Sequence, residues 1–170
     1  MRYLFDASSM FEVIKSCEEE ESLRLLSENC ILDLTKYEVG NAFWKEHVLH
    51  KTIGADEFKE LLNLLRTIIL RTKVLSVDAH KLPDVAQVAE NERITFYDAS
   101  YVTTAKLQNL TLVTEDAHLA KAASKYARTA LAKDVPRETL GKPEQASGDR
   151  TDSPTNEGST HDWSATRERS

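Results

Sequence analysis

The chain has 170 residues and a formal net charge of −6, with hydrophobic and charged fractions of 41% and 29%. That composition excludes a disordered or fibrous chain and fits one soluble domain with a sizeable core. The acidic balance excludes a uniformly basic nucleic-acid clamp. The acid is uneven, however: residues 1–35 carry eight acidic and three basic side chains, whereas residues 36–140 carry fourteen and fifteen, so the body of the chain can still present a basic rim.

No apolar stretch reaches the roughly 18 residues of a membrane span, since the longest candidate, LLNLLRTIILRTKVL, is broken by Arg66 and Arg71. The opening residues MRYLFD lack the basic, apolar and small-residue segments of a secretory leader. The expected location is cytoplasmic. Cys17 and Cys30 have neither a CxxC partner nor a His at metal-binding spacing, so they read as semi-buried thiols rather than zinc ligands.

Taken in chain order, short apolar runs alternate with helical patterns. The expected strands are YLF (3–5), ILDL (31–34), VLSV (74–77), TLVT (111–114) and TALA (129–132). Helices are expected over 8–16, 19–28, 36–50, 56–71, 79–91, 99–108 and 117–126. In 56–71, Phe58, Leu61, Leu62, Leu65, Ile68 and Ile69 recur at helical spacing, with Asp56 as the expected cap. That helix is apolar over more of its circumference than one core face needs, a pattern that marks a partner surface. The folded domain is expected over 1–135, followed by a polar, disordered tail over 136–170. The last thirty residues hold only Ala146, Trp163 and Ala165 as apolar residues, too few to offset chain entropy.

Such alternation predicts an α/β fold, a parallel sheet covered on both faces by helices. Its ligand site belongs at the carboxyl ends of the strands. The runs YLFDAS, FYDAS and LVTED each close in an acid: Asp6, Asp98 and Asp116. Asp98 and a fourth acid, Glu38, come from the first turns of helices, after ITFY and ILDLTKY, and helix starts sit at the same edge. Four carboxylates on one edge repel and raise one another's pKa values, which a divalent cation offsets. Mg²⁺ takes oxygen ligands and binds through one or two carboxylates plus substrate phosphate. A pair of such ions is a known arrangement for phosphodiester hydrolysis.

Each acid also has a plain structural role open to it. Asp6, Asp98 and Asp116 can cap the helices that follow them, and Thr35-x-x-Glu38 has the form of a capping box. Asn41, one turn past Glu38, can be a satisfied buried amide. Asp78, in VLSVDAH, and Asp33, in ILDLT, have the same strand-then-acid form, so that form alone is not specific.

The combination is more specific. DASSM, TKYEVGN, YDASYVTTA and LVTEDAHL stand in the order and spacing of PIN-domain nucleases, and residues 1–135 resemble VapC-type toxins in particular. The resemblance implies a three-layer α/β/α sandwich around a parallel sheet of four to five strands, and a Mg²⁺- or Mn²⁺-dependent endoribonuclease. It places the family's catalytic and metal-binding acids at Asp6, Glu38, Asp98 and Asp116, with Ser8, Asn41 and Thr114 in supporting positions. Asp78 and Asp33 have no counterpart and stay structural. The resemblance further implies homodimerisation and a small antitoxin whose C-terminal segment crosses the helices near the site.

RNA needs cations along its approach to an acidic site. Lys36, Lys45, Lys106 and Lys121, on helices that carry or follow the acids, are the candidate phosphate contacts. The five histidines form no strand-end group with a reactive Ser or Cys, and His47 and His50 read as helix-surface residues. An aspartyl-phosphate enzyme is the rival class. Ser8 stands where a haloacid-dehalogenase-type phosphatase needs a second Asp, and a receiver's acidic pair is missing. Two further readings stay open: an RNA-processing PIN nuclease without an antitoxin, and a non-catalytic module of the same fold that binds RNA or protein.

Overall fold

A computed structural model describes residues 2–137; residues 138–170, and with them nearly all of the expected tail, lie outside the described residues. Five parallel strands run β1 (Tyr3–Phe5), β2 (Cys30–Leu32), β3 (Lys73–Leu75), β4 (Thr111–Val113) and β5 (Thr129–Ala130), in the spatial order β3-β2-β1-β4-β5. Phe5 pairs with Ile31 on one side and Val113 on the other, which makes β1 the central strand. The chain grows from β1 toward β3, then reverses across β1 to β4. The switch point of this sheet therefore lies between β1 and β4, where open α/β folds form their ligand crevice.

Successive side chains of a strand point to opposite faces, and here the two faces build two cores. Phe5, Ile31 and Val113 pack under α1 (Ala7–Ser16), α2 (Glu19–Ser27), α3 (Thr35–Trp44) and α4 (Ala55–Arg71). Leu4, Cys30, Leu32 and Leu112 pack under α5 (Leu82–Glu92), α6 (Phe96–Leu107) and α7 (Ala117–Ala123). The result is the α/β/α sandwich with a central parallel sheet that the sequence predicts. Among the described residues no helix is long and apolar enough to cross a membrane.

Several boundaries move, each for a local reason. The expected helix 36–50 is α-helical only to Trp44 and then widens into a π-helical turn, Lys45–His50, closed by Lys51 at φ 56°. That turn brings the His47 ring flat against Phe58, with centroids 5.0 Å apart, and its Nδ1 to 3.1 Å from the Ile53 carbonyl oxygen. His47 is thus half-buried rather than a free surface residue. Asp56 does not cap α4; Gly54 is the cap, and Asp56 pairs with Lys59 at 3.5 Å. Helix α6 starts three residues before the expected position because the Thr95 hydroxyl accepts from the Asp98 N–H. Phe96 and Tyr97 are consequently exposed helix residues, not the end of a buried run.

Candidate active site

Asp6 leaves the carboxyl end of β1 and becomes the N-cap of α1, its Oδ1 accepting from the Ser9 N–H at 2.8 Å. The capping role is thus real, and it leaves Asp6 Oδ2 bonded only to the Ser8 hydroxyl among the described residues. The Ser8 hydroxyl donates to both Asp6 oxygens at 2.9 Å, accepts from the Glu115 N–H at 2.9 Å, and lies 3.2 Å from the Thr114 hydroxyl. Thr114 Oγ1 in turn accepts from the Asp116 N–H at 3.0 Å. One short hydroxyl chain across the switch point thus ties Asp6 to the backbone that carries Asp116. Asp116 caps α7, with Oδ1 accepting from the N–H groups of His118 and Leu119.

Glu38 is held by a second chain. The Thr35 hydroxyl accepts from the Leu32 N–H and lies 2.8 Å from the Tyr101 hydroxyl, which donates to Glu38 Oε2 at 2.7 Å. The capping-box role for Glu38 is thereby excluded: the cap of α3 is Leu34, and the Thr35 hydroxyl turns inward to the core. Asp98 lies in the first turn of α6, where its Oδ2 accepts from the Thr95 hydroxyl at 2.8 Å. Tyr101, which holds Glu38 in the candidate site, is a residue that sequence reasoning misses. Its only signal is a Tyr one turn after Asp98 in YDASY, and the crossing of α3 and α6 alone reveals its use.

Burial dominates the electrostatics of these groups, and neighbouring charge adds to it at Glu38 and Tyr101. Burial pushes the Asp6 carboxyl above its ordinary value, although hydrogen bonds from Thr114, Ser9 and Ser8 work in the opposite direction. Burial is also the main cause that raises Glu38; the Tyr101 bond opposes it, and the charges of Asp98 and Asp6 add to it. Tyr101 is driven well above a usual phenol, first by its own burial and further by Glu38 and Asp6. Glu38 therefore shares one small region with Asp6 and Asp98.

These donors fit a hard divalent cation. They are all oxygen, and Asp6 and Glu38 are pushed toward protonation when no cation is near. Glu38 Oε1, Asp98 Oδ1 and Asp116 Oδ2 have no hydrogen-bond partner among the described residues. Among those residues no three Asp, Glu, His or Cys side chains stand close enough to form a complete cage. An ion that keeps several of its own waters needs no such cage.

The other expected residues divide. Asn41 is exposed on the Glu38 helix, so the buried-amide role does not apply. Lys36 sits beside the site with its ammonium 4.8 Å from the Tyr37 ring centroid, and Lys45 is exposed at the start of the π-helical turn. Lys121 lines a cleft of about 260 Å³ with Arg93, His118 and Lys125, next to the Asp116 turn. Lys106 is not gathered in. It lies at the far end of α6, about 12 Å along the helix from Asp98, over the Tyr126 ring. Asp78 caps the short turn Ala79–Lys81, accepting from the His80 N–H at 2.8 Å, and Asp33 is exposed past β2. A larger cleft, about 600 Å³, lies at the opposite edge of the sheet around Tyr3, Thr111 and Thr129, where the strands begin, away from the four acids.

Comparison with known proteins agrees with this geometry. The PIN domain family matches residues 3–125. Exonuclease VapC9 of Pyrobaculum aerophilum is 35% identical over 119 residues, covering 70% of this chain and 84% of the relative. Ribonuclease VapC3 of the same organism is 32% identical over 125 residues, covering 71% and 94%. The crystal structure of PAE2754 from Pyrobaculum aerophilum superposes with a TM-score of 0.62 at 34% identity, covering 76% of this chain and 90% of that one. The strand-end acids, the switch point that gathers them and these relatives agree: the chain belongs to the PIN-domain family, among its VapC-type nucleases.

Proposed function

We propose that the protein is a Mg²⁺- or Mn²⁺-dependent endoribonuclease that hydrolyses RNA phosphodiester bonds, and the toxin of a VapBC-type pair. The observation that carries this reading is the hydroxyl chain that ties buried Asp6 to the Asp116 turn across the switch point, with Glu38 close enough to feel the charges of Asp6 and Asp98, a load that a bound cation would relieve. Of Asp6, Glu38, Asp98 and Asp116, one or two carboxylates would hold the cation directly and the others would hold its waters. When bound, it supplies Lewis acidity to the phosphoryl group and eases deprotonation of water near neutral pH.

The chain's own groups do the orienting. Ser8 fixes both oxygens of Asp6, and Thr114 braces Ser8 and the Asp116 turn. Tyr101 fixes one oxygen of Glu38 and leaves the other for ligand or water. Asn41, exposed one turn beyond Glu38, offers an amide donor to the incoming phosphodiester. Lys36, Lys45 and Lys121 supply positive charge to the flanking phosphates.

The apolar surface supports association. Leu62 and Leu70 of α4, and Trp44, Val48 and Leu49 before it, remain exposed. We assign this surface to a homodimer, and the helices beside the acids to a small antitoxin; sedimentation of the purified chain, alone and with the product of a neighbouring small reading frame, checks both.

The deciding experiment is cleavage of linear and circular RNAs by wild type and Asp6→Asn with Mg²⁺, Mn²⁺ or chelator. Metal-dependent opening of the circles, lost in Asp6→Asn, supports the endoribonuclease. Trimming of linear RNA with circles intact would instead favour the exonuclease reading, which the name of one relative raises. No metal-dependent cleavage of any RNA would overturn the proposal.

A further inference from the structure

An acidic site repels the phosphodiester it must hold, so binding strength beside the scissile phosphate has to come from other groups. The exposed rings next to the acids are suited to that task. Tyr37 is 71% exposed, Tyr97 64% and Phe96 44%. Among the described residues the only other large exposed aromatic is Trp44, so three of four lie in the first turns of α3 and α6. Those turns also carry Glu38 and Asp98. Tyr37 directly precedes Glu38 and Tyr97 directly precedes Asp98, which sets each ring about 100° around its helix from its acid. The rings therefore flank the carboxylates without covering them.

Neither phenol hydroxyl has a hydrogen-bond partner among the described residues, so the hydroxyls do not anchor the rings to the fold. The large exposed aliphatic side chains are elsewhere, on α4, the π-helical turn, β3, the start of α5 and the far end of α6. An all-aromatic set beside an acid cluster matches what nucleobases need, flat faces that every base can stack on. The Lys36 ammonium over Tyr37 adds a cation for the phosphate next to a stacked base and leaves the opposite ring face open. Bases inside a duplex have no free face to offer.

We propose that Tyr37 and Tyr97 are substrate-binding residues that stack on unpaired bases to either side of the scissile phosphate of single-stranded RNA. This inference rests on the ribonuclease reading above. It assigns selection of unpaired RNA to the helix starts rather than to the acids.

The test uses the full chain carrying Asp6→Asn, so that RNA stays intact, with Mg²⁺ present. Anisotropy of a labelled, short, single-stranded RNA of random sequence measures binding, and wild-type cleavage is measured in parallel. Tyr37→Ala and Tyr97→Ala are each expected to weaken binding about 5- to 150-fold, the range of one lost base stack. Phe at the same positions should restore binding, whereas Leu should not. Binding to an RNA duplex should change little in any variant. Leu performing as well as Phe, or Ala variants binding as tightly as their parent, would overturn the inference while wild-type cleavage kept the ribonuclease reading. Unchanged RNA binding together with loss of self-association would assign the rings to a second copy of the chain, and also overturn it. Absence of both cleavage and binding in the parent proteins would remove both readings.

Discussion

Asp6 and Asp116 occupy equivalent places on adjacent strands, yet the fold treats them differently. Each follows a parallel strand and caps the next helix. Asp6 follows β1 immediately, at the centre of the sheet, and is only 4% exposed. Asp116 comes three residues after β4 ends and reaches solvent. The first carboxylate is therefore forced into low dielectric against its own charge, and the second remains wet. An electrostatic load is built into the middle of the switch point, and its rim carries an acid that costs the fold little.

That contrast predicts unequal mutational effects. Asp6→Asn preserves the cap, since Asn caps about as well as Asp, but removes the central charge. Cleavage should fall by more than about a thousandfold, the several kcal/mol that a cation contributes to the transition state, with the circular dichroism spectrum unchanged. Asp116→Asn also keeps its cap, and should lower activity about 10- to 100-fold, as partial loss of a metal's surroundings does. Its signature would be a higher Mg²⁺ concentration at half-maximal rate. Equal losses at the two positions would contradict the division between centre and rim.

Tyr101→Phe probes the brace behind the site. It leaves Glu38 without its one hydrogen bond while the Thr35 hydroxyl keeps the Leu32 N–H. The expected loss is about two- to tenfold in rate, the roughly 0.5–1.5 kcal/mol that a typical hydrogen bond is worth net. Full activity in this variant would show that Glu38 needs no orienting phenol.

The legible part of this protein is the part set by local pattern. Three-residue apolar runs interrupted by helical spacing announce β1, β2 and β4, and acids after buried strands announce Asp6 and Asp116. The bounds of the strands are less legible: β2 and β3 each begin one residue earlier and end two earlier than ILDL and VLSV suggest, and β5 keeps only the first two residues of TALA, because pairing with the neighbouring strand, not the apolar run, sets where a strand stops. What the sequence hides depends on contacts between distant segments. Thr35 has the look of a cap because the box is a local pattern; its real partner, Tyr101, is 66 residues away. FYDAS resembles YLFDAS because both read as apolar-then-acid, and only the Thr95 cap turns Phe96 and Tyr97 outward. The π-helical turn, too, has no local marker in KEHVLH that composition alone would reveal.

The smallest expected effect concerns stability. Asp6 and Glu38 both have carboxyl pKa values raised in the folded chain. Between the unfolded and folded values, the folded state holds more protons than the unfolded one, so stability falls as pH rises through that window and then levels off. The chain without divalent cation should therefore melt progressively lower as pH rises from the ordinary carboxylate range, and then hold level once both carboxyls are ionised. Mg²⁺ should recover more of the melting temperature above that window than within it, because within it protons already relieve part of the burial and repulsion. In chelator, Asp6→Asn should flatten the pH dependence and melt no lower than wild type at pH 7.5, since the cap survives and the buried charge is gone. A metal-free Asp6→Asn protein that melts well below wild type would mean that Asp6 stabilises the sheet edge as a charge, and the contrast with Asp116 would have to be redrawn around structure rather than chemistry.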